Sequence, residues 1–294
     1  MKVRFGVTIG PEVGPQQLGG IVEDLERLRF DSLWVPEALQ QSTLDPLVAL
    51  SFAAARTKRL KVGTHLIIPG RHPVQLARQL AHLDQVSDGR LLLVGVLGLP
   101  DEADAGVQGI ERKRRSSAME EVVPLLHRLW AGETVDHDGE HYSFTGATVT
   151  PPPAQQPLEL WLAGQVPGAL RRCGRLGDGW MPGLITPTEA AELRVTVETA
   201  AAQAGRTMDP EHYGANLFYA REPLSPDVAE QLSSRRGGRD IVALTPIGWP
   251  ALREQAQAWL DAGFSKFLLR PLVPPRDWTA ELETLAREIL PLTV

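Results

Sequence analysis

Two side chains in this chain are of the types that move protons, and they fall where chain patterning suggests strand ends. His65 sits inside residues 60–68 (LKVGTHLII), and Glu37 follows Trp34-Val35-Pro36. An imidazole and a carboxylate in such places suit general acid–base work. A lone strand-end histidine also serves as a structural residue, and the residues themselves leave both roles open for His65. A third feature suits an anion. Gly164-Gln165 stands just before a helical stretch starting near Pro167. Glycine lets the backbone come close, and the unpaired N–H groups of a helix start attract phosphate. An ordinary strand-to-helix turn has the same look.

Other chemistry is disfavoured. His137 and His141 are four apart, but Asp138-Gly139 between them marks a hairpin turn, so a helical zinc pair is excluded and no metal site is expected. Gly95-Val96-Leu97-Gly98 lacks the third glycine of a dinucleotide fingerprint. No serine occupies a nucleophile elbow, and no carboxylate pair has glycosidase spacing. His72 precedes Pro73 and reads as part of a helix start, and His82 falls inside a helical stretch. The single cysteine, Cys173, excludes an intrachain disulfide, reads as packing, and fits a reducing, cytoplasmic setting. Net charge is −6, with basic residues scattered apart from Arg112-Lys113-Arg114-Arg115, which disfavours nucleic acid as a partner. No apolar stretch nears the ~20 residues that span a bilayer, and the start does not read as a signal peptide.

These residues need a frame, and the pattern supplies one. Short β-rich runs at 3–9, 31–36, 60–68, 91–97, 158–163, 179–181, 213–220 and 265–270 alternate with helical periodicity. Residues 91–97 are almost wholly apolar, as in a strand buried on both faces. Each strand is followed by a helix, so the strands are expected to be parallel, and eight such units favour a (β/α)8 TIM barrel, an α/β fold. The 294 residues suit one domain, 1–294, with insertions near 98–110, 132–157 and 222–245. The middle insertion reads as a hairpin around Asp138-Gly139 and a stiff proline-rich connector at 151–157. In such a barrel the site lies at the C-terminal strand ends. That rule selects Glu12, Glu37, Thr64, His65, Gly95, Gly164, Gln165, Asn216 and Arg270 among others.

The same segments resemble the luciferase-like family of flavin- and coenzyme F420-dependent oxidoreductases. The resemblance rests on FDSLWVPE at 30–37, DPLVAL at 45–50, Val62-Gly63-Thr64, Arg71-His72-Pro73-Val74 and DGRL at 88–91. Farther on it rests on WLAG at 161–164 and RLGDGW at 175–180. It implies a barrel, a bound deazaflavin F420 or alternatively FMN, a small-molecule substrate and a homodimer. It also implies that Gly164, Gln165 and Val166 hold the coenzyme phosphate, and that Arg175 and Asp178 line its tail or order the loop. Thr64 and His65 would form a bulge behind the ring, often with a non-prolyl cis peptide, and Gly95 and Leu97 would lie against the ring. Three departures stand out. Glu37 is followed by Ala38-Leu39 where many members carry histidines, residues 63–73 run one residue short, and the fourth strand ends with fewer glycines than usual.

Three readings follow. The leading one is an F420-dependent oxidoreductase passing hydride between coenzyme and a small organic substrate, with His65 and Glu37 as candidate proton donors. The second is an FMN-dependent monooxygenase that uses oxygen and a separate reductase. The third, motivated by Ala38 and by the altered end of the fourth strand, is a coenzyme-binding barrel with little or no turnover.

Overall fold

The computed structural model describes residues 1–39, 44–98, 109–234 and 240–293. Parts of the first and third expected insertions therefore lie outside the described residues.

Eight strands form one parallel sheet: β1 (Arg4–Thr8), β2 (Ser32–Trp34), β3 (Lys61–Ile67), β4 (Leu91–Val96), β7 (Trp161–Ala163), β8 (Trp180–Met181), β9 (Gly214–Tyr219) and β10 (Lys266–Pro271). Their order is β8-β7-β4-β3-β2-β1-β10-β9. A parallel bridge from Trp180 to Tyr213, with Trp180 N–H donating to His212 O at 2.9 Å, joins the two end strands and makes the sheet a barrel. The alternation expected from the sequence is the one observed, and the fold is an α/β barrel of the TIM type.

The helices show why the chain alternates this way. In α1 (Pro15–Arg27), Leu18, Ile21, Val22 and Leu25 are buried at helical spacing and make the face that lies on the sheet. α2 (Pro46–Arg56) begins at Asp45, whose carboxylate accepts the N–H groups of Leu47 at 2.9 Å and Val48 at 3.1 Å, with Pro46 at the first helical position. After α3 (Pro73–Val86), α4 (Arg115–Trp130) and α5 (Pro167–Leu176) comes α6 (Pro187–Gln203), which starts with a Thr186–Glu189 capping box. α7 (Pro226–Ser234), α8 (Gly248–Asp261) and α9 (Trp278–Ile289) complete the shell. Arg27 Nη2 to Glu283 Oε1 at 2.9 Å and Thr279 Oγ1 to Asp24 Oδ2 at 2.6 Å tie the last helix to the first.

The excursion between β4 and β7 is a hairpin of β5 (Val135–Asp138) and β6 (Ser143–Ala147), but its turn is not the tight Asp138-Gly139 turn expected. Asp138 pairs with Ser143, and residues 139–142 make the turn. Glu121 of α4 is the reason. Its carboxylate accepts the N–H groups of His141 at 2.9 Å and Tyr142 at 3.0 Å and meets His137 Nε2 at 2.8 Å, which pins a longer turn onto the helix.

Side-chain alternation splits the core in two. Phe5, Val7, Val62, Leu66, Leu91, Leu93, Phe267 and Leu269 face the helices, whereas Trp34, Val94, Trp161, Met181 and Leu268 fill the barrel. A cavity of about 250 Å³ lies below that inner layer, at the strand starts. Its rim is occupied by ion pairs, Lys61–Asp31 and Lys266–Glu211, each at 3.4 Å. Functional residues of this fold class gather at the other end.

Candidate active site

At the C-terminal strand ends several buried polar atoms lack partners. Thr8 Oγ1, His65 Nε2 and Gln165 Oε1 are buried and make no hydrogen bond. In a finished protein core such groups are nearly always satisfied, because a buried polar atom without a partner costs free energy on the order of 1–3 kcal/mol. Three of them at one barrel end mark a place built for something else to bind.

His65 is placed by the register of β3. It pairs with Val94 of β4, an inward position, and its ring lies 5.4 Å from that of Trp34, tilted by 52°. Burial, with the positive field of Arg270 added, pulls its pKa down to about 4. The imidazole is therefore neutral near pH 7, with one nitrogen protonated and the other free to accept. Gly63, two residues earlier, lies under the indole of Trp34, and a Cβ there would sit within 2.8 Å of three ring carbons.

Thr64 points the other way. The neighbours that share its face, Val62 and Leu66, belong to the layer under the helices, and Thr64 is fully buried there. Its side chain cannot touch a ring in the barrel mouth. The expected bulge is also absent: β3 runs regularly past Leu93 and Val94, and the cis peptides among the described residues are Thr150-Pro151 and Gln156-Pro157. Gly95 shares the outward face of β4, where a Cβ would meet Leu162 and Ile68, so it offers nothing to the interior. Leu97 packs against the outer core as well.

Glu37 is brought beside His65 but is held fast. Its N–H donates to His65 O at 2.9 Å, its Oε2 accepts the Ile67 N–H at 2.8 Å, and its Oε1 is paired with the Arg71 guanidinium. With both oxygens engaged, this carboxylate fixes the backbone behind His65 rather than presenting a proton. Arg71, 34 positions away, stands in one of the segments that resemble the family, but its type gave no sign of this role.

The anion feature is borne by β7 and α5. Gly164 has φ +139°, a conformation that disfavours a side chain, and a Cβ there would lie 2.5 Å from Ala169 Cβ. Trp180 Nε1 donates to Gly164 O at 2.8 Å and fixes that carbonyl. Val166 is the helix N-cap, no side chain caps the helix, and Pro167 occupies its first position. The N–H groups of the first turn are thus left for a ligand, and nothing stands within 4 Å of a Cβ built on Gly168. Gln165 Oε1, the orphan, lies 2.5 Å from the place of a Cβ on Gly183. These residues fit a phosphate on the backbone and a donor on Gln165.

Arg175 and Asp178 do not join this group. α5 runs away from the mouth for ten residues, about 15 Å, and Arg175 near its far end pairs with Glu120 at 2.8 Å. Asp178 precedes β8, at the strand-start end. There it accepts the Leu160 N–H at 2.9 Å and pairs with Arg206 at 3.1 Å, and His127 lies at 3.3 Å. It orders the entry to β7: burial is the largest single influence on its carboxyl and pushes the pKa up, but His127, the Leu160 N–H and Arg206 together hold it below the usual range.

Two mouth residues on the broad strand-end list, Glu12 and Arg270, have more to say than their types suggested. Glu12 Oε1 accepts the Gly10 N–H at 3.0 Å. Arg270 is inward-facing at the end of β10, where burial lowers its pKa and Glu12 opposes that effect. No cluster of three or more side chains that could hold a metal ion occurs among the described residues. No helix among them is long and apolar enough to cross a membrane.

Comparison with known proteins gives a consistent picture. The family model described as luciferase-like monooxygenase matches residues 1–269. An F420-dependent glucose-6-phosphate dehydrogenase of Nakamurella multipartita is 33% identical over 223 residues, covering 70% of this chain and 64% of that protein. The match thus spans just under two thirds of that relative's length. A protein of the same name from Kineococcus radiotolerans is 28% identical over 322 residues, covering 96% and 94%. Among solved structures, an F420-dependent secondary alcohol dehydrogenase in complex with an F420-acetone adduct superposes with a TM-score of 0.81 at 18% identity, covering 99% of each chain. That last likeness establishes the fold.

Proposed function

This chain belongs to the luciferase-like monooxygenase family, and from that premise we propose that it is an oxidoreductase using coenzyme F420 to exchange hydride with a small organic substrate. The observation that carries the reading is the set of unpartnered polar atoms at the barrel mouth, Thr8 Oγ1, His65 Nε2 and Gln165 Oε1, beside an uncapped helix start. The names of the relatives support F420 over FMN.

In this reading Gly164, Gln165 and Val166 hold the coenzyme phosphate at the start of α5. When bound, the deazaflavin supplies or takes up hydride at its central ring. His65, neutral and walled by Trp34, keeps one proton and one free lone pair at the ring end, so it can hold or pass a proton at Nε2. Glu37 positions His65 through the backbone bond between them and is not a proton donor. Apolar walls at Val94, Trp161, Met181 and Leu268 keep water from below.

The 294 residues act as one domain. The chain works as a homodimer in the cytoplasm. An exposed apolar face on α2 and α3 supports the dimer: Val48 is 69% exposed, Phe52 40% and Val86 65%. Titration of the purified protein with F420 and, separately, with FMN tests the cofactor assignment by fluorescence. Saturable F420 binding with no FMN binding is expected, and protein charged with reduced coenzyme should not consume oxygen. Tight FMN binding with oxygen uptake would replace this reading by the FMN monooxygenase with its partner reductase.

A further inference from the structure

Arg270 is a cation with no direct ion pair or hydrogen bond. On β10, Phe267 and Leu269 face the helices and Leu268 faces the interior, so Arg270 also points into the barrel, above Leu268. It is level with Phe218 of β9, whose ring centre lies 6.0 Å from its guanidinium carbon. Among the described residues it makes no hydrogen bond and no ion pair. Glu12 is the carboxylate acting on it, yet the two do not meet. They approach the same point from two sides: a Cβ on Gly10 would collide with Glu12 Oε2 and sit 3.0 Å from Arg270 Nη2. Glu12 meanwhile spends Oε1 on the Gly10 N–H.

Folding gives no reason for this arrangement. A partly buried charge without a partner is costly, and an arginine cannot escape the cost by losing its proton. The planar guanidinium keeps its paired N–H groups for a planar or tetrahedral oxyanion. Its place in the ring says which anion. β10 lies three strands from β7, with its phosphate feature, in one direction, and three from β3, with His65, in the other. A coenzyme laid from Gly164 to His65 occupies the β7–β4–β3 side and leaves Arg270 facing it across the mouth, where the substrate must enter.

We propose that Arg270 is a substrate-binding residue that anchors an oxyanion carried by the substrate, a carboxylate or a phosphate monoester, on the guanidinium N–H groups turned away from Glu12. This rests on the reading of the mouth as a coenzyme site. It narrows the substrate to anionic molecules whose hydride-exchanging carbon lies a short span from the anionic group. Glu12 shapes the subsite: its negative charge repels an anion that strays past the guanidinium, so the anion is held at one depth.

The test is calorimetric titration with two probes, inorganic phosphate and benzoate. It uses wild type, Arg270→Met and Arg270→Lys, each with and without bound F420, and F420 affinity is measured on all three. Saturable binding of at least one probe to wild type is expected, weakened about ten-fold or more in Arg270→Met and less in Arg270→Lys. F420 affinity should stay within about two-fold throughout, as for a group that does not touch the coenzyme. Arg270→Met should melt at or above wild type, because it removes an unpaired desolvated charge. Equal probe binding by wild type and Arg270→Met, or none by wild type, would overturn the proposal. So would F420 affinity falling in step with probe affinity, which would give the anion to the coenzyme, or a melting temperature lowered by several degrees, which would make the charge part of the fold. If F420 fails to bind wild type at all, the coenzyme reading falls, and the ligand-free titrations still decide the fate of the anion site.

Discussion

Gly164→Ala is expected to weaken coenzyme binding about ten-fold or more while the barrel stays folded. The backbone at Gly164 sits at φ +139°, and the added methyl group would lie 2.5 Å from Ala169 Cβ at the first turn of α5. Relief requires either a change of φ or a shift of the helix start. Both move the N–H groups that would face the phosphate, and two charge-assisted hydrogen bonds of that kind contribute roughly 3 kcal/mol or more. The Trp180 Nε1 bond to Gly164 O at 2.8 Å resists the change of φ, so the helix start is the part expected to move. Coenzyme titration by fluorescence, alongside a melting curve, reads the two effects apart. A variant that melts lower but binds as wild type would remove the phosphate from this turn.

His65→Leu is expected to abolish a large acid sensitivity. The unfolded chain protonates His65 as pH falls through about 6.5, an ordinary histidine value, whereas in the folded chain burial first, and Arg270 second, delay protonation to about pH 4. Between those values the unfolded state binds more protons, so stability present above pH 6.5 is lost as pH falls. The loss attributable to His65 is on the order of 3 kcal/mol between pH 7 and pH 4. Leucine fills similar space, and Nε2 has no hydrogen bond to lose. Urea unfolding of both proteins at several pH values separates this contribution from the carboxylates they share. Parallel curves for the two would mean that His65 is not held neutral.

The barrel was legible because it is written locally. Helical spacing such as Leu18, Ile21, Val22, Leu25 and caps such as Asp45-Pro46 need only near neighbours. Gly164 was legible for the same reason, since a glycine before a helix start is a local statement about the backbone. Thr64 shows what was overlooked rather than hidden. Val62 and Leu66 are apolar at period two, and that pattern already places Thr64 with them and His65 on the other face. Glu37 is different. Its partner Arg71 and its bond to the Ile67 N–H lie 30 or more positions away, so its type suggested a proton donor where the structure has a brace. The hairpin turn was likewise decided by a distant residue, Glu121. Arg270 could be placed at a strand end from sequence, but its lack of a partner exists only in three dimensions. Asp178 belongs to a stretch that resembles the family and yet serves at the strand-start end, which motif matching alone does not distinguish.

In the proposed function one ligand spans the mouth from the start of α5 to His65. A crystallographic density map of the protein grown with F420 tests it most directly. The coenzyme phosphate is expected against the backbone N–H groups of Gln165, Val166, Gly168 and Ala169, and the deazaflavin ring beside His65 with one face toward Arg270. Coenzyme lying at the strand-start cavity around Arg4 and Lys61, or a ring placed away from His65, would contradict this reading.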